Sequence, residues 1–270
     1  MSVVYLLGHP VEHSLSPAMH NAAFAVLGLP HRYEPLDVSE DELPGVLDRI
    51  RTGEILGANV TVPHKETALK LADTWDGPTA EIGATNTLSR LGDGRLLASN
   101  TDHVGFEFAV RDLALDGKRV LLLGAGGAAR AVLTVLYRHD AAVAIANRTA
   151  ERAAMLARTL AHPVDGEPLI VPWSERTDLG GVDVVVNATS LGLRSEDPLE
   201  GAALRPEMVV IDLVPTAAAT PLVRRARAAG CRVVDGLPML LQQAVASFTV
   251  WTKRPAPVEA MRRALFASVS

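Results

Sequence analysis

Cysteine is nearly missing from this sequence: Cys231 alone in 270 residues. One thiol cannot close an intrachain disulfide or build a cysteine zinc cluster, and it fits a protein kept in a reducing cytoplasm. No metal site is expected. An excess of cationic charge is missing too. Lysine and arginine number 26 against 31 acidic residues, a formal net charge of −5. That balance argues against a globally basic nucleic-acid binder, although local basic patches stay open. No apolar run is long enough to span a membrane. The longest uncharged stretch that looks apolar, Gly236 to Thr252, carries Gln242, Gln243, Ser247 and Thr249 and reads as a buried helix. The opening Met1-Ser2-Val3-Val4-Tyr5 lacks the basic region of a secretory signal. A cytoplasmic globular chain is the expectation. Its 48% hydrophobic content supports a sizeable core. Its length suits one large domain or two of ordinary size.

Strand-like and helix-like segments alternate almost throughout. In the first part, strands are expected at Val3 to Leu7, Arg32 to Leu36, Gly57 to Val62, Ala84 to Arg90 and Leu96 to Asn100. Gly92-Asp93-Gly94 between the last two is a hairpin turn signal. Helices are expected at Ala18 to Leu27 after Pro17, at Glu40 to Arg51 capped by Ser39, at Lys65 to Leu71 and at His103 to Leu113. After the polar break Asp116-Gly117-Lys118 comes the aliphatic run Arg119 to Leu123, the pattern of a parallel strand buried on both faces. The βαβ rhythm beyond it argues for an open, mainly parallel sheet covered by helices. Two helices, Leu237 to Thr252 and Val258 to Phe266, close the chain.

The segment Leu123-Gly124-Ala125-Gly126-Gly127-Ala128-Ala129 fits the Gly-x-Gly-x-x-Gly/Ala fingerprint of a dinucleotide site. It ends a strand and opens a helix, the context the motif requires. Gly124 permits the tight turn, Gly126 removes a Cβ that would meet a pyrophosphate, and Ala129 allows close helix–strand packing. Unpaired N–H groups at the helix start favour phosphate. The next strand ends in Asn147-Arg148-Thr149, with Arg152 a turn further on. An NAD site would place an acid here for the ribose hydroxyl. A guanidinium instead suits a 2′-phosphate, so NADP is the expected cofactor. Asn187-Ala188-Thr189-Ser190 follows another strand and belongs near the same crevice. Asp212 closes a further strand, where it either caps a turn or serves the cofactor.

The first part carries isolated polar residues at loop and strand ends. Ser14 and Ser16 precede a helix, where hydroxyls either cap it or hold a small carboxylate. Asn59 and Thr61 alternate with apolar neighbours and face one side of a strand. Lys65 stands at a helix start, where the helix dipole opposes a cation. Asn86, Asp102 and Gln243 are further polar residues in apolar stretches.

Together these stretches resemble the shikimate dehydrogenase family. They run from Gly8-His9-Pro10 through Ser16-Pro17 with His20-Asn21, to Gly57 through Lys65, Ala84-Thr85-Asn86-Thr87 and Asn100-Thr101-Asp102. Gly124 to Arg130, Asn147-Arg148-Thr149, Asn187 to Ser190, and Asp235 to Leu240 with Gln243 complete an ordered set over essentially the whole chain. The resemblance implies two α/β domains: a substrate domain over 1–101 rejoined by 236–270, and a Rossmann-type NADP domain over 102–235. Substrate and NADP would face each other across a cleft. It implies reversible NADP-dependent reduction of 3-dehydroshikimate to shikimate, a small-molecule substrate, by a monomer or homodimer. Ser14 and Ser16 would hold the carboxylate. Asn59, Thr61, Asn86 and Gln243 would complete the substrate site, and Lys65 with Asp102 would be the catalytic pair. Gly124, Ala125, Gly126, Gly127, Ala128, Asn147, Arg148, Thr149, Arg152, Thr189, Ser190, Leu213, Gly236 and Met239 would hold the cofactor.

The chain departs from the family pattern in places. Pro215 stands where members commonly carry a tyrosine that reaches the substrate, His103 where glycine commonly follows the aspartate, and Ser99 where an acid is often found. His103 is expected to face solvent from its helix. These departures keep other readings in view: a quinate or aminoshikimate dehydrogenase, a methylenetetrahydrofolate dehydrogenase, or an NADP-binding regulatory relative with weak turnover.

Overall fold

The computed structural model describes residues 2–160 and 166–269. The chain divides into two compact units, Met1–Gly105 with Leu240–Ser270 and Phe106–Met239. Both divisions fall inside helices, at 105/106 and 239/240, where the resemblance implied boundaries at 101/102 and 235/236.

The first unit contains strands β1 (Ser2–Gly8), β2 (His31–Asp37), β3 (Ile55–Val60), β4 (Thr74–Trp75), β5 (Thr87–Arg90) and β6 (Leu96–Ser99). Their order is β2-β1-β3-β5-β6-β4. β1 runs parallel to β2 and β3, and β4 parallel to β6. β5 is antiparallel to both its neighbours, and the turn at Gly94 (φ 91°) returns the chain directly from β5 into β6. Helices α1 (Ser16–Val26), α2 (Leu43–Arg51), α3 (Lys65–Leu71) and α4 (Gly77–Ile82) cover the sheet, followed by the start of α5 (Asp102–Val110). One core joins Leu43, Leu47 and Ile50 of α2 to Ile55, Ala58, Leu88 and Ala98 of the strands. Each such fully buried Leu or Ile contributes roughly 1.5–3 kcal/mol.

Two local expectations differ from the structure. Ser39 does not cap a helix. Its N–H and hydroxyl both donate to Glu42 Oε2, at 2.9 and 2.6 Å, and α2 starts only at Leu43, with Pro44 in its first turn. Pro44 lacks an N–H and tolerates only such a position. The short α4 is absent from the sequence reading, although Asp76 caps it by accepting from Thr79 N–H at 2.9 Å and Gly83 ends it at φ 71°.

The second unit contains β7 (Arg119–Leu123), α6 (Gly127–Arg138), β8 (Ala142–Ala146), α7 (Ala150–Thr159), β9 (Leu169–Val171), β10 (Val184–Asn187), β11 (Val209–Asp212), α8 (Pro221–Ala228) and β12 (Arg232–Val234). All six strands are parallel, in the order β12-β11-β10-β7-β8-β9. The direction of winding reverses between β7 and β10, so the glycine turn after β7 lies at the switch point where open α/β sheets bind ligands.

The chain closes with α9 (Gly236–Thr252) and α10 (Val258–Ala267). As expected, they return to the first unit, α10 against α1 and α9 against the sheet. Trp251 of α9 lies flush on β3 and donates from Nε1 to the Leu88 carbonyl at 3.0 Å. A Cβ on Gly57 would fall 2.5 Å from the Trp251 ring and 2.7 Å from the Leu88 oxygen, so this strand position admits glycine alone. Among the described residues no helix is long and apolar enough to cross a membrane.

Candidate active site

In the first unit, β3 and the turn after it lead into α3, whose first residue is Lys65. The turn after β6 leads into α5, whose first residue is Asp102. The two helix starts place Lys65 Nζ 2.5 Å from Asp102 Oδ2, with side chains only 12% and 8% exposed. Water is largely kept from this ion pair, so each charge acts strongly on the other. Asp102 is oriented from both ends. Its N–H donates to Asn100 Oδ1 at 3.0 Å, and its Oδ1 accepts from Asn86 Nδ2 at 2.8 Å. The two carboxylate oxygens thus have separate partners, Lys65 on one side and Asn86 on the other.

Asn86 is itself fixed as to which way its amide points. Oδ1 accepts from Thr101 N–H at 2.7 Å and from the Thr87 hydroxyl at 2.9 Å. Nδ2 therefore faces Asp102 Oδ1 and, at 3.4 Å, Gln243 Oε1. Gln243 comes from α9, and Nε2 of the same side chain donates to the Leu240 carbonyl at 2.9 Å. The structure thus brings together Lys65, Asn86, Asp102 and Gln243.

Asn59 is placed differently from the sequence expectation. It is buried and its amide is fully engaged within the protein. Oδ1 accepts from the Tyr33 hydroxyl at 2.9 Å, while Nδ2 donates to the Asn86 carbonyl, Ser247 Oγ and Thr87 Oγ1 at 2.8, 3.0 and 3.1 Å. It has no donor left for a ligand, and the residues it holds are the ones that orient Asn86. Thr61 lies half-buried in the turn after β3, not within the strand. Ser16 is buried at the first turn of α1, and its N–H donates to Ser14 Oγ at 3.2 Å. Ser14 thus takes the N–H of the helix's first residue from outside the cap position, which is Leu15 and makes no side-chain cap bond. His103 is half-buried rather than solvent-facing.

Sequence reasoning gave no role to Tyr33, Thr87, Thr101 or Ser247. Ser247 is fully buried, with hydroxyls of Thr87 and Thr101 at 2.8 and 2.9 Å. Its signal was available: on a helix it lies one turn beyond Gln243, and its hydroxyl contacts the Gln243 carbonyl at 3.0 Å. Beside this network stands an aromatic cluster. His20 is stacked on Tyr33 with centroids 4.4 Å apart and is flanked by Trp251 and Phe248 at 5.2 and 6.4 Å. Burial lowers the His20 pKa from 6.5 to about 3.

In the second unit, the glycine turn has the geometry its fingerprint requires. Gly124 has φ 113°, and a Cβ there would come within 3.0 Å of the Ala188 carbonyl oxygen. Gly126, by contrast, faces open space with no heavy atom within 4 Å of where a Cβ would lie. It is the N-cap of α6 and supplies no side-chain cap, so the first N–H groups of the helix keep their capacity for an anion. The residues present therefore fit a dinucleotide pyrophosphate. Arg148 and Arg152 are exposed just beyond β8 and have no acidic partner among the described residues. Asn147 bridges this turn, donating to the Thr149 carbonyl at 2.8 Å.

The remaining cofactor candidates are mostly engaged in packing. Thr189 donates its hydroxyl to Asn187 Oδ1 at 2.7 Å, and Ser190 is exposed. Gly236 starts α9 where a Cβ would fall 2.7 Å from the Leu213 oxygen. Met239 is buried in the core of the unit. Asp212 is structural: its carboxylate accepts from the Thr220 hydroxyl, Asn187 Nδ2 and Val214 N–H at 2.5, 2.9 and 3.2 Å. Burial pushes its pKa up, and these three bonds act against the rise. It ties the ends of β10 and β11 to the start of α8.

A parallel sheet with an open glycine turn at its switch point, in a chain that also carries a buried Lys–Asp pair, defines a Rossmann-type dinucleotide enzyme class. Comparison with known proteins narrows the class. Three family models match in chain order: the shikimate dehydrogenase substrate binding domain over residues 6–88, the shikimate/quinate 5-dehydrogenase model over 107–215 and the shikimate 5′-dehydrogenase C-terminal domain over 236–266. The shikimate dehydrogenase (NADP(+)) of Moorella thermoacetica is 44% identical over 272 residues, covering 97% of this chain and 92% of that protein. The one from Rubrobacter xylanophilus is 45% identical over 271 residues, covering 98% and 95%. Shikimate 5-dehydrogenase from Thermus thermophilus, crystallised with NADP(H) and shikimate, superposes with a TM-score of 0.84 at 38% identity, over 99% of this chain and 100% of that one. The chain belongs to the shikimate dehydrogenase family. Among the described residues no cluster of His, Cys, Asp and Glu could hold a metal ion.

Proposed function

We propose that this protein catalyses the reversible NADP-dependent interconversion of 3-dehydroshikimate and shikimate, as a cytoplasmic enzyme of aromatic amino-acid biosynthesis. The observation that carries the reading is the secluded Lys65–Asp102 pair oriented by Asn86, in a chain whose full-length relatives are shikimate dehydrogenases. The single, buried Cys231 suits a reducing compartment. The enzyme acts as a monomer or a homodimer.

Bound NADP supplies the hydride acceptor in the oxidative direction and, as NADPH, the donor in the reverse. The protein handles the proton and the substrate's position. For ketone reduction, Lys65 Nζ carries three N–H donors, one of them directed at Asp102 Oδ2. Another can reach the substrate oxygen, stabilise charge as it develops there and pass a proton to it. Asp102 holds the ammonium in place and keeps it directed. In the oxidative direction the same nitrogen, as neutral amine, takes the proton from the hydroxyl. Gln243, 3.4 Å from Asn86, offers its amide to ring hydroxyls, and Asn86, whose Nδ2 is shared between Asp102 and Thr101, reaches one by exchanging a partner. Thr61 adds a hydroxyl, and Ser14 and Ser16 take the carboxylate. In the second unit, Gly124, Gly126 and the start of α6 take the pyrophosphate, while Arg148 and Arg152 take the 2′-phosphate.

NADPH formation followed in parallel with shikimate, quinate and methylenetetrahydrofolate tests the reading. Shikimate with NADP+ should turn over well above the other two. Measurable NADP binding without turnover of any of them would replace this reading with that of a binding protein.

A further inference from the structure

Tyr33 lies in the middle of β2 and is held by two helices, α1 and α9. Asn21 of α1 bonds both its backbone groups: Tyr33 N–H donates to Asn21 Oδ1 at 2.8 Å, and Asn21 Nδ2 donates to the Tyr33 carbonyl at 3.0 Å. The His20 ring stacks on the phenol ring at an interplanar angle of 17°. Trp251 of α9 closes the far side, 6.1 Å between centroids. Every freedom of this side chain is removed except the rotation of its hydroxyl hydrogen.

That hydrogen is donated to Asn59 Oδ1 at 2.9 Å. A buried tyrosine needs some acceptor, and any carbonyl would serve. Here the acceptor is an amide whose other end reaches the site. Asn59 Nδ2 donates to the Asn86 carbonyl and to Thr87 Oγ1. Thr87 Oγ1 donates to Asn86 Oδ1, and Asn86 Nδ2 donates to Asp102 Oδ1. The donors all point one way, from phenol to carboxylate. Turning the Asn59 amide over would set its oxygen against the Asn86 carbonyl, two acceptors face to face. The Asn86 carbonyl thus sets the Asn59 amide's orientation, the phenol satisfies the oxygen this leaves and holds it there, and Thr87 carries the order to an Asn86 amide that Thr101 N–H also holds.

We propose that Tyr33 is a positioning residue of the active site: through Asn59 and Thr87 it acts with Thr101 N–H to hold the Asn86 amide, and through Asn86 the carboxylate that pairs with Lys65. The inference rests on the dehydrogenase reading above. It assigns to a buried strand residue a share in the precision of proton transfer, for which small displacements of reacting groups matter greatly.

The test is kinetic. Tyr33→Phe removes the hydroxyl and leaves the ring stack. Its kcat/KM for shikimate should fall about tenfold, the size of one net hydrogen bond, with KM for NADP+ within about twofold of wild type. Thr87→Val, made alongside, breaks the same route one step later and should give the same fall, which keeps the test decisive if the tyrosine variant does not fold. In an Asn86→Ala background, Tyr33→Phe should cost less than about twofold, since the route passes through Asn86. A purely structural tyrosine would lower Tm and leave the kinetic constants of the folded enzyme alone. If both variants keep wild-type kcat/KM while Tm falls, the positioning role is overturned. If the wild type itself does not oxidise shikimate with NADP+, the dehydrogenase reading falls, and this inference with it.

Discussion

Replacing His20 with phenylalanine removes two ring nitrogens from a fully buried aromatic cluster, and its effect should appear as a change in acid sensitivity. Neither nitrogen of His20 has a hydrogen-bond partner among the described residues. Burial lowers its pKa from 6.5 to about 3. The unfolded chain therefore takes up a proton below about pH 6.5, and the folded chain does so only near pH 3. Between these values the unfolded state binds more protons, so stability falls as pH falls. At about 1.36 kcal/mol per pH unit, the loss reaches about 2 kcal/mol by pH 5. Against a total of about 5–15 kcal/mol for a typical domain, that is a measurable fraction. Urea unfolding at pH 7 and pH 5, at constant ionic strength, provides the assay. Trp251 fluorescence reports locally, 5.2 Å from His20, once Trp75 and Trp173 are replaced by phenylalanine. Wild type should lose about 2 kcal/mol more than His20→Phe between the two pH values. His31, whose pKa is also lowered by burial, remains in both proteins and cancels. The larger phenylalanine ring alters absolute stability, but not the difference between two pH values. Equal losses in the two proteins would refute the reasoning.

Two further outcomes concern the chemistry. Lys65→Ala should lower kcat by about 10²–10⁴-fold, the contribution of a positioned acid–base group, with a smaller change in KM for shikimate; steady-state rates near those of wild type would remove Lys65 from the mechanism. Arg148→Asp should weaken NADP+ far more than NAD+, because a carboxylate repels a 2′-phosphate and can accept from a ribose hydroxyl; equal losses in titrations of both cofactors would take Arg148 out of the discrimination.

Much of the fold is written in local patterns. β7 and α3 match the expected residues Arg119–Leu123 and Lys65–Leu71 because a dense aliphatic run and a helix following a proline turn are unambiguous. Where the pattern is carried by a single polar side chain, it misleads. Ser39 resembles a cap, yet Glu42 takes both its donors and Pro44 sets the helix start. The site divides in the same way. Gly124 and Gly126 declare themselves because backbone conformation and missing side chains are local facts. Lys65, Asn86, Asp102 and Gln243 were gathered by family resemblance, and the structure brings them together. Asn59 shows what alternation leaves out: a strand pattern tells which face a residue occupies, not whether its amide is already engaged there. Tyr33 and Ser247 were invisible because their partners lie far away in sequence. Asn59 is 26 residues from the first and 188 from the second.

That separation orders events during synthesis. The second unit, Phe106–Met239, leaves the ribosome whole, while the first is interrupted and waits for its final segment. Until α9 emerges, β3 has bare backbone at Gly57 where Trp251 will lie, and Asn59, Thr87 and Thr101 lack the Ser247 hydroxyl that joins them. A nascent chain stalled after β12 can hold a folded second unit while the first still has an open seam. The two halves therefore mature in the reverse of their order in the gene, and the long-range closure by α9 is the step most exposed to chaperones and proteases.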